Sequence, residues 1–199
     1  MAQRKKRQAQ VKRETKETKI RAVLDLDGSG TIEVKTPFGF LDHMITALAK
    51  HALFDLTLTA EGDIEIDAHH TVEDIGLTIG EAILIALGDK TGISRFGSAL
   101  APMDEALAAA VVDISGRPYL VYNVVIPERK QWEFDCNVLK EFFQGLAANA
   151  RLNLHLRLDY GDNYHHACEA VFKAAGRALR EAVALDARVK GVPSTKGTL

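Results

Sequence analysis

His69-His70-Thr71-Val72-Glu73 and His165-His166-Ala167-Cys168-Glu169 are two copies of one unusual arrangement, a histidine pair followed by a glutamate, in separate halves of a 199-residue chain. On a helix, residues four apart share a face. His69 with Glu73, and His165 with Glu169, could therefore each grip one cation from one side. The neighbouring rings, His70 and His166, point about 100° away at ~3.6 residues per turn, so they must serve another ion or approach from another direction. Capping of an exposed helix start would account for one such motif. Two copies in register favour metal.

A further candidate sits on the helix that precedes each motif. His43 in the first half and Glu141 in the second fall at the same helical position when the halves are overlaid. Pseudo-symmetry then suggests two ligand sets: His69, Glu73, Glu141 and His166 for one ion, and His165, Glu169, His43 and His70 for the other. Imidazole and carboxylate ligands without thiolate suit manganese, iron or zinc. His155, inside the strand-like "LHL", reads as an ordinary strand residue.

The elements that must position these groups also occur twice. "TKIRAVLDLDG" and "TIEVKT" read as strands separated by a glycine-serine turn, "FLDHMITALAKHAL" as a helix with Leu41, Ile45, Leu48 and Ala52 on one face, "FDLTLTA" as a strand, and Thr71 to Leu87 as a second helix. "ALAAAVVDISG", "PYLVYNVVI", "NVLKEFFQGLAANA", "RLNLHLRLDY" and "HHACEAVFKAAGRALREAV" repeat the order, and "ALAKHALFDLTL" matches "GLAANARLNLHL" in pattern. The expected fold is α+β: duplicated β-β-α-β-α repeats of the split β-α-β type, forming two sheets, each with helices packed on one face and related by a pseudo-two-fold axis. The expected boundaries are a flexible basic arm at 1–12, a first repeat at 13–92 and a second at 93–190.

With 47% apolar residues the chain can build a compact core, and a net charge of −2 gives no global attraction to nucleic acid or anionic membrane. The basic run Arg4 to Arg7 reads as a solvated terminus. No stretch approaches the ~20 apolar residues of a membrane span and no signal-peptide core is evident, so a cytoplasmic protein is expected. Cys136 and Cys168 lack metal-type spacing and read as buried free thiols.

Together these residues resemble the imidazoleglycerol-phosphate dehydratase family. The resemblance runs from about Arg13 to Leu199 through "RETKET", "LDGSG", "FLDHM", "HHTVED", "PMDE", "DISGRPY", "HHACEAVFKA" and "GVPSTKG". It implies a hydro-lyase of histidine biosynthesis with two Mn2+ per active site, other divalent transition metals being alternatives. The substrate would be a small phosphorylated imidazole, and the enzyme a cubic homo-oligomer, a 24-mer, with active sites between subunits. The chain departs from many relatives in carrying Glu141 in "EFF" where they have histidine.

The hydrogen lost in such a dehydration has no carbonyl beside it to acidify it. The imidazole ring must therefore push electrons outward to expel the hydroxyl, through a diazafulvene-like intermediate that becomes an enol and then a ketone. The resemblance assigns Glu17 as leading proton shuttle, with His70, His166, Glu73 and Glu169 catalytic through the metals. It implies substrate contacts from Glu17, His43, His51, His69, His165 and Asp74, the last also a partner for a metal-bound histidine. Arg95, Arg117, Lys173, Ser194, Thr195 and Lys196 would clamp the phosphate, making the 191–199 tail a substrate contact. A dinuclear metal phosphohydrolase would want similar groups and is the alternative enzyme class. A duplicated nucleic-acid-binding module leaves the registered histidines without a purpose.

Overall fold

The computed structural model describes residues 6–127 and 134–199. The first repeat comprises β1 (Gln8–Glu14), β2 (Thr18–Asp25), β3 (Ile32–Lys35), α1 (Gly39–Ala52), β4 (Asp55–Gly62) and α2 (His69–Leu87). The second comprises β5 (Phe96–Met103), β6 (Ala106–Asp113), β7 (Tyr119–Asn123), α3 (Leu139–Ala150), β8 (Asn153–Tyr160) and α4 (Tyr164–Val183). The duplicated β-β-α-β-α order is present in both halves, and each copy also opens with a strand, β1 or β5, that the sequence left unassigned.

The extra strands correct one boundary. Residues 8–12, expected in a flexible arm, belong to β1 and pair in register with β2, Gln8 opposite Asp25 and Lys12 opposite Arg21. Only Ala9 and Val11 of this strand are buried, which gives too short an apolar alternation to announce a strand. In β5 a glycine and a proline blur the pattern, and Pro102 is tolerated because β5 is an edge strand. Residues 1–5 of the expected arm lie outside the described residues.

Both sheets have the same topology, β1-β2-β4-β3 and β5-β6-β8-β7. In each, the last strand of the order lies parallel to its neighbour, because the helix α1 or α3 carries the chain across between them. Alternation along β2 buries Thr18, Ile20, Ala22 and Leu24 and exposes Lys19 and Arg21, so one face of the sheet takes the helices. α2 covers β1 and β2, α4 covers β5 and β6, and the helix layers meet each other as α1 on α4 and α2 on α3. One apolar cluster runs through both repeats. Among the described residues, neither repeat has a separate core.

The helix crossings are close because of two glycines at matching positions. A Cβ on Gly80 would lie 2.5 Å from the Leu146 carbonyl oxygen, and one on Gly176 would lie 2.3 Å from that of Leu48. Only a residue without a side chain lets the backbones approach so far. Both crossings run parallel, Gly76 meeting Phe142 and Gly80 meeting Leu146, while His43 meets Glu169 and Leu48 meets Gly176. The four helix N-termini therefore gather at one end of the molecule, and both histidine motifs with them. Among the described residues, no helix is long and apolar enough to cross a membrane.

Candidate metal and substrate site

His43 on α1 and His165 and Glu169 on α4 converge across the repeat boundary. Glu169 Oε2 lies 3.1 Å from His43 Nε2 and 3.2 Å from His165 Nε2, and the two rings stand 5.2 Å apart between centroids. Asn163 caps α4 by accepting from the backbone amides of His165 at 2.9 Å and His166 at 3.4 Å, which fixes the first turn from which both rings project. Phe40 packs edge-on against the His165 ring at 5.5 Å and limits its rotation.

Glu169 is buried, with Lys173 Nζ 2.6 Å from its Oε1. Burial alone would push its carboxyl up, but the hydrogen bonds from Lys173 and His43 prevail and hold it at about 2, so it is an anion at every physiological pH. The three potential ligand atoms lie within 4.8 Å of one another, and two imidazole nitrogens with one carboxylate oxygen form a donor set that fits a divalent transition metal. His51 lies close by. Burial first, then the charges of Lys173 and Arg177, keep its ring below the ordinary imidazole range and favour the neutral form.

His70, expected to join this set, lies elsewhere in the same chain. Its Nδ1 is 3.2 Å from Asp63 Oδ2 and 3.8 Å from Glu17 Oε2, at the tip of the β1–β2 hairpin. Hydrogen bonding to Asp63 first, and the charge of Glu17 next, raise the ring above its ordinary pKa. Asp63 Oδ1 is buried without a hydrogen-bond partner, an acceptor that suits a cation or a donor from a ligand. Sequence reasoning missed Asp63. Its signal was an acid at the end of β4, seven residues before a paired histidine, with nothing to distinguish it from the neighbouring acids.

The set His69, Glu73, Glu141 and His166 does not assemble within one chain. His69 is exposed and its amide donates to Asp67 Oδ1 at 2.7 Å, whereas Glu73 is half-buried on α2. Glu141 is half-buried in the first turn of α3 at the position equivalent to His43, on a helix whose Gly145 lies against the Glu73 carbonyl. His166 turns away to acids of the β5–β6 turn, its Nδ1 2.7 Å from Glu105 Oε2 and its Nε2 3.7 Å from Asp104 Oδ2.

Asp74 is a correction. Both its oxygens are taken by the β1–β2 hairpin, at 2.7 Å from Arg13 Nε and 2.5 Å from Thr18 Oγ1, and neither meets a histidine. Buried at 6% exposure, it ties α2 to the hairpin that presents Glu17. His155 is exposed on β8 as an ordinary strand residue. Cys168 is buried and Cys136 half-buried, and both are free.

The cationic groups lie at the other end of the second repeat. Arg95 stands at positive φ beside the C-terminus of α4, where its amide donates to the Ala182 carbonyl at 2.9 Å. Its guanidinium pairs with Asp113 at 2.7 and 3.2 Å and donates to the Pro193 carbonyl at 2.9 Å, anchoring the tail. Leu199 closes against Gly116, so Ser194, Thr195 and Lys196 lie on the same side as exposed Arg117. Lys173, expected among them, is instead beside Glu169. A straight helix from His165 to Ala182 spans about 25 Å at 1.5 Å per residue, so a single chain holds its metal-type cluster and its arginine cluster too far apart for one small substrate.

The sequence profile described as imidazoleglycerol-phosphate dehydratase matches residues 36–179. The imidazoleglycerol-phosphate dehydratase of Citrifermentans bemidjiense is 56% identical over 97% of this chain and 99% of its own, and that of Clostridium botulinum is 52% identical over 96% and 97%. The crystal structure of the Pyrococcus furiosus enzyme superposes with a TM-score of 0.82 at 41% identity, covering 95% of this chain and all of that one. The Staphylococcus aureus enzyme gives 0.80 at 40% identity over 89% and 98%. With sequence and fold in agreement, the chain belongs to the imidazoleglycerol-phosphate dehydratase family.

Proposed function

We propose that the chain dehydrates D-erythro-1-(imidazol-4-yl)glycerol 3-phosphate to 3-(imidazol-4-yl)-2-oxopropyl phosphate in histidine biosynthesis, using two manganese ions in a site completed by more than one subunit. The meeting of His43 with His165 and Glu169 is the observation that carries the metal reading. These three would hold one ion together with His70 of another subunit, and His69, Glu73, Glu141 and His166 would hold the second, also between subunits. A divalent cation bound there supplies Lewis acidity that lowers the pKa of an imidazole N–H.

The chain's own groups do the rest. Glu17, half-exposed at the hairpin tip and 3.8 Å from His70, moves the proton between substrate carbon and solvent. His51, kept neutral, and Lys173 line the approach to Glu169. Arg95, Arg117, Ser194, Thr195 and Lys196 hold the phosphate, whose charge persists through the reaction. Because the metal-type and cationic clusters stand a helix length apart in one chain, the clamp of one subunit serves the metal ligands of another. A closed homo-oligomer follows, for which we propose 24 subunits. The free thiols Cys136 and Cys168 accord with the reducing cytoplasm, where we place the enzyme.

Purified protein supplied with the imidazole substrate and Mn2+ should form the keto phosphate without releasing inorganic phosphate, and chelation should stop it. Release of inorganic phosphate would instead mean a phosphohydrolase.

A further inference from the structure

The two repeats treat their second histidine differently. In the first, Asp63 takes His70 Nδ1 at 3.2 Å while Glu17, from the β1–β2 turn, stays at 3.8 Å with its carboxylate half-exposed. The β5–β6 turn supplies the equivalent glutamate, Glu105, which itself takes His166 Nδ1 at 2.7 Å. The second repeat has a shorter connection before its helix, 161–163 against 63–68. Asp162, which follows Gly161 as Asp63 follows Gly62, is exposed. Glu105 is also fixed at its other oxygen, Oε1 accepting from the Asn163 amide at 2.9 Å, and Asn163 caps the helix that carries His166. One carboxylate thus locks both the ring and the turn from which the ring projects.

We propose that Glu105 is a positioning residue, which accepts from His166 Nδ1–H and so presents Nε2 as the metal-ligating atom. The inference rests on the reading of His166 as a ligand. A metal-bound imidazole needs its other N–H directed to an acceptor, and loss of such an acceptor commonly costs 10–100-fold in metal affinity. Glu17 and Glu105 occupy equivalent positions, each immediately before the second strand of its repeat's hairpin. The acid at the end of β4 leaves the first free for substrate, while the second is committed to orientation.

The test compares wild type with Glu105→Ala, Glu105→Gln and His166→Ala, each as full-length protein checked by light scattering and circular dichroism. Mn2+ affinity is read by electron paramagnetic resonance of the free ion, and ligand geometry by the d–d absorption of Co2+-loaded protein. Glu105→Ala should bind Mn2+ roughly 10–100-fold more weakly and shift the Co2+ bands, with Glu105→Gln, which keeps one acceptor oxygen, losing less. Wild-type affinity and spectrum in Glu105→Ala, alongside weakened binding in His166→Ala, would overturn the positioning role and leave the ligand reading standing. Wild-type binding in His166→Ala would overturn the ligand reading itself. Should Glu105→Ala fail to fold, the same two readouts on Glu105→Gln decide, unchanged values counting against the proposal.

Discussion

Glu169 shows how a few contacts set the charge of a site. Its carboxyl is held at about 2, against an ordinary 4.5, by Lys173 and His43 overcoming burial. Because the folded value lies below the unfolded one, the stabilisation is fully present above about pH 4.5 and lost as pH falls towards 2, a span worth roughly 3 kcal/mol. Metal-free Glu169→Gln should therefore show a flatter decline of stability across that window in urea titrations at stepped pH. An acid limb as steep as the wild type's would assign the stability to other carboxylates. For Glu141, alanine substitution should remove about half the bound metal, since one of two sites would lose a ligand while the His43 cluster keeps its own. Metal analysis checks this, and full occupancy would leave Glu141 an ordinary helix residue.

Among the elements, the close crossings of α1 with α4 and of α2 with α3 bring the ligands together. Gly80→Ala and Gly176→Ala each place a methyl group against a backbone carbonyl that cannot rotate away. Each should cost about 1–3 kcal/mol by chemical denaturation, and Gly176→Ala should also weaken metal binding, because it separates His43 from Glu169. Wild-type metal affinity in folded Gly176→Ala would show that this crossing does not position His43 against Glu169. The Asp74 contacts to Arg13 and Thr18 work in the same way, securing the hairpin that carries Glu17 to the helix that carries His70.

For the whole molecule, a site shared between subunits predicts complementation. Neither Glu169→Gln, impaired in metal binding, nor the Arg117→Ala/Lys196→Ala double variant, impaired in the clamp, should turn over substrate well alone. Dissociated and reassembled together, they should regain a fraction of wild-type activity, because some sites then receive both intact halves. No recovery after proven mixing would mean that each chain completes its own site. Assembly and metal binding should also be coupled, since metal that bridges subunits stabilises the assembled state by mass action. Light scattering after chelation should report a lower mass.

The sequence by itself determined the duplication, the helices and the family. These rest on short-range patterns: helical spacing, alternation, and two histidine motifs whose residues lie within one turn of each other. It also paired His43 with His165 and Glu169, because the overlay of the halves located equivalent helical positions. Only the tertiary structure decided the remaining partners. β1 was silent because an edge strand with two buried positions carries almost no pattern, and Asp74 looked like a neighbour of Glu73 until packing turned it towards Arg13 and Thr18. Asp63 reaches His70 from the loop just before its helix and Glu105 reaches His166 from a turn far along the chain, and spacing says nothing about contacts that depend on how a turn meets a helix. The separation of Arg95 and the tail from the histidines is likewise a property of the fold, set by the length of α4 lying between them.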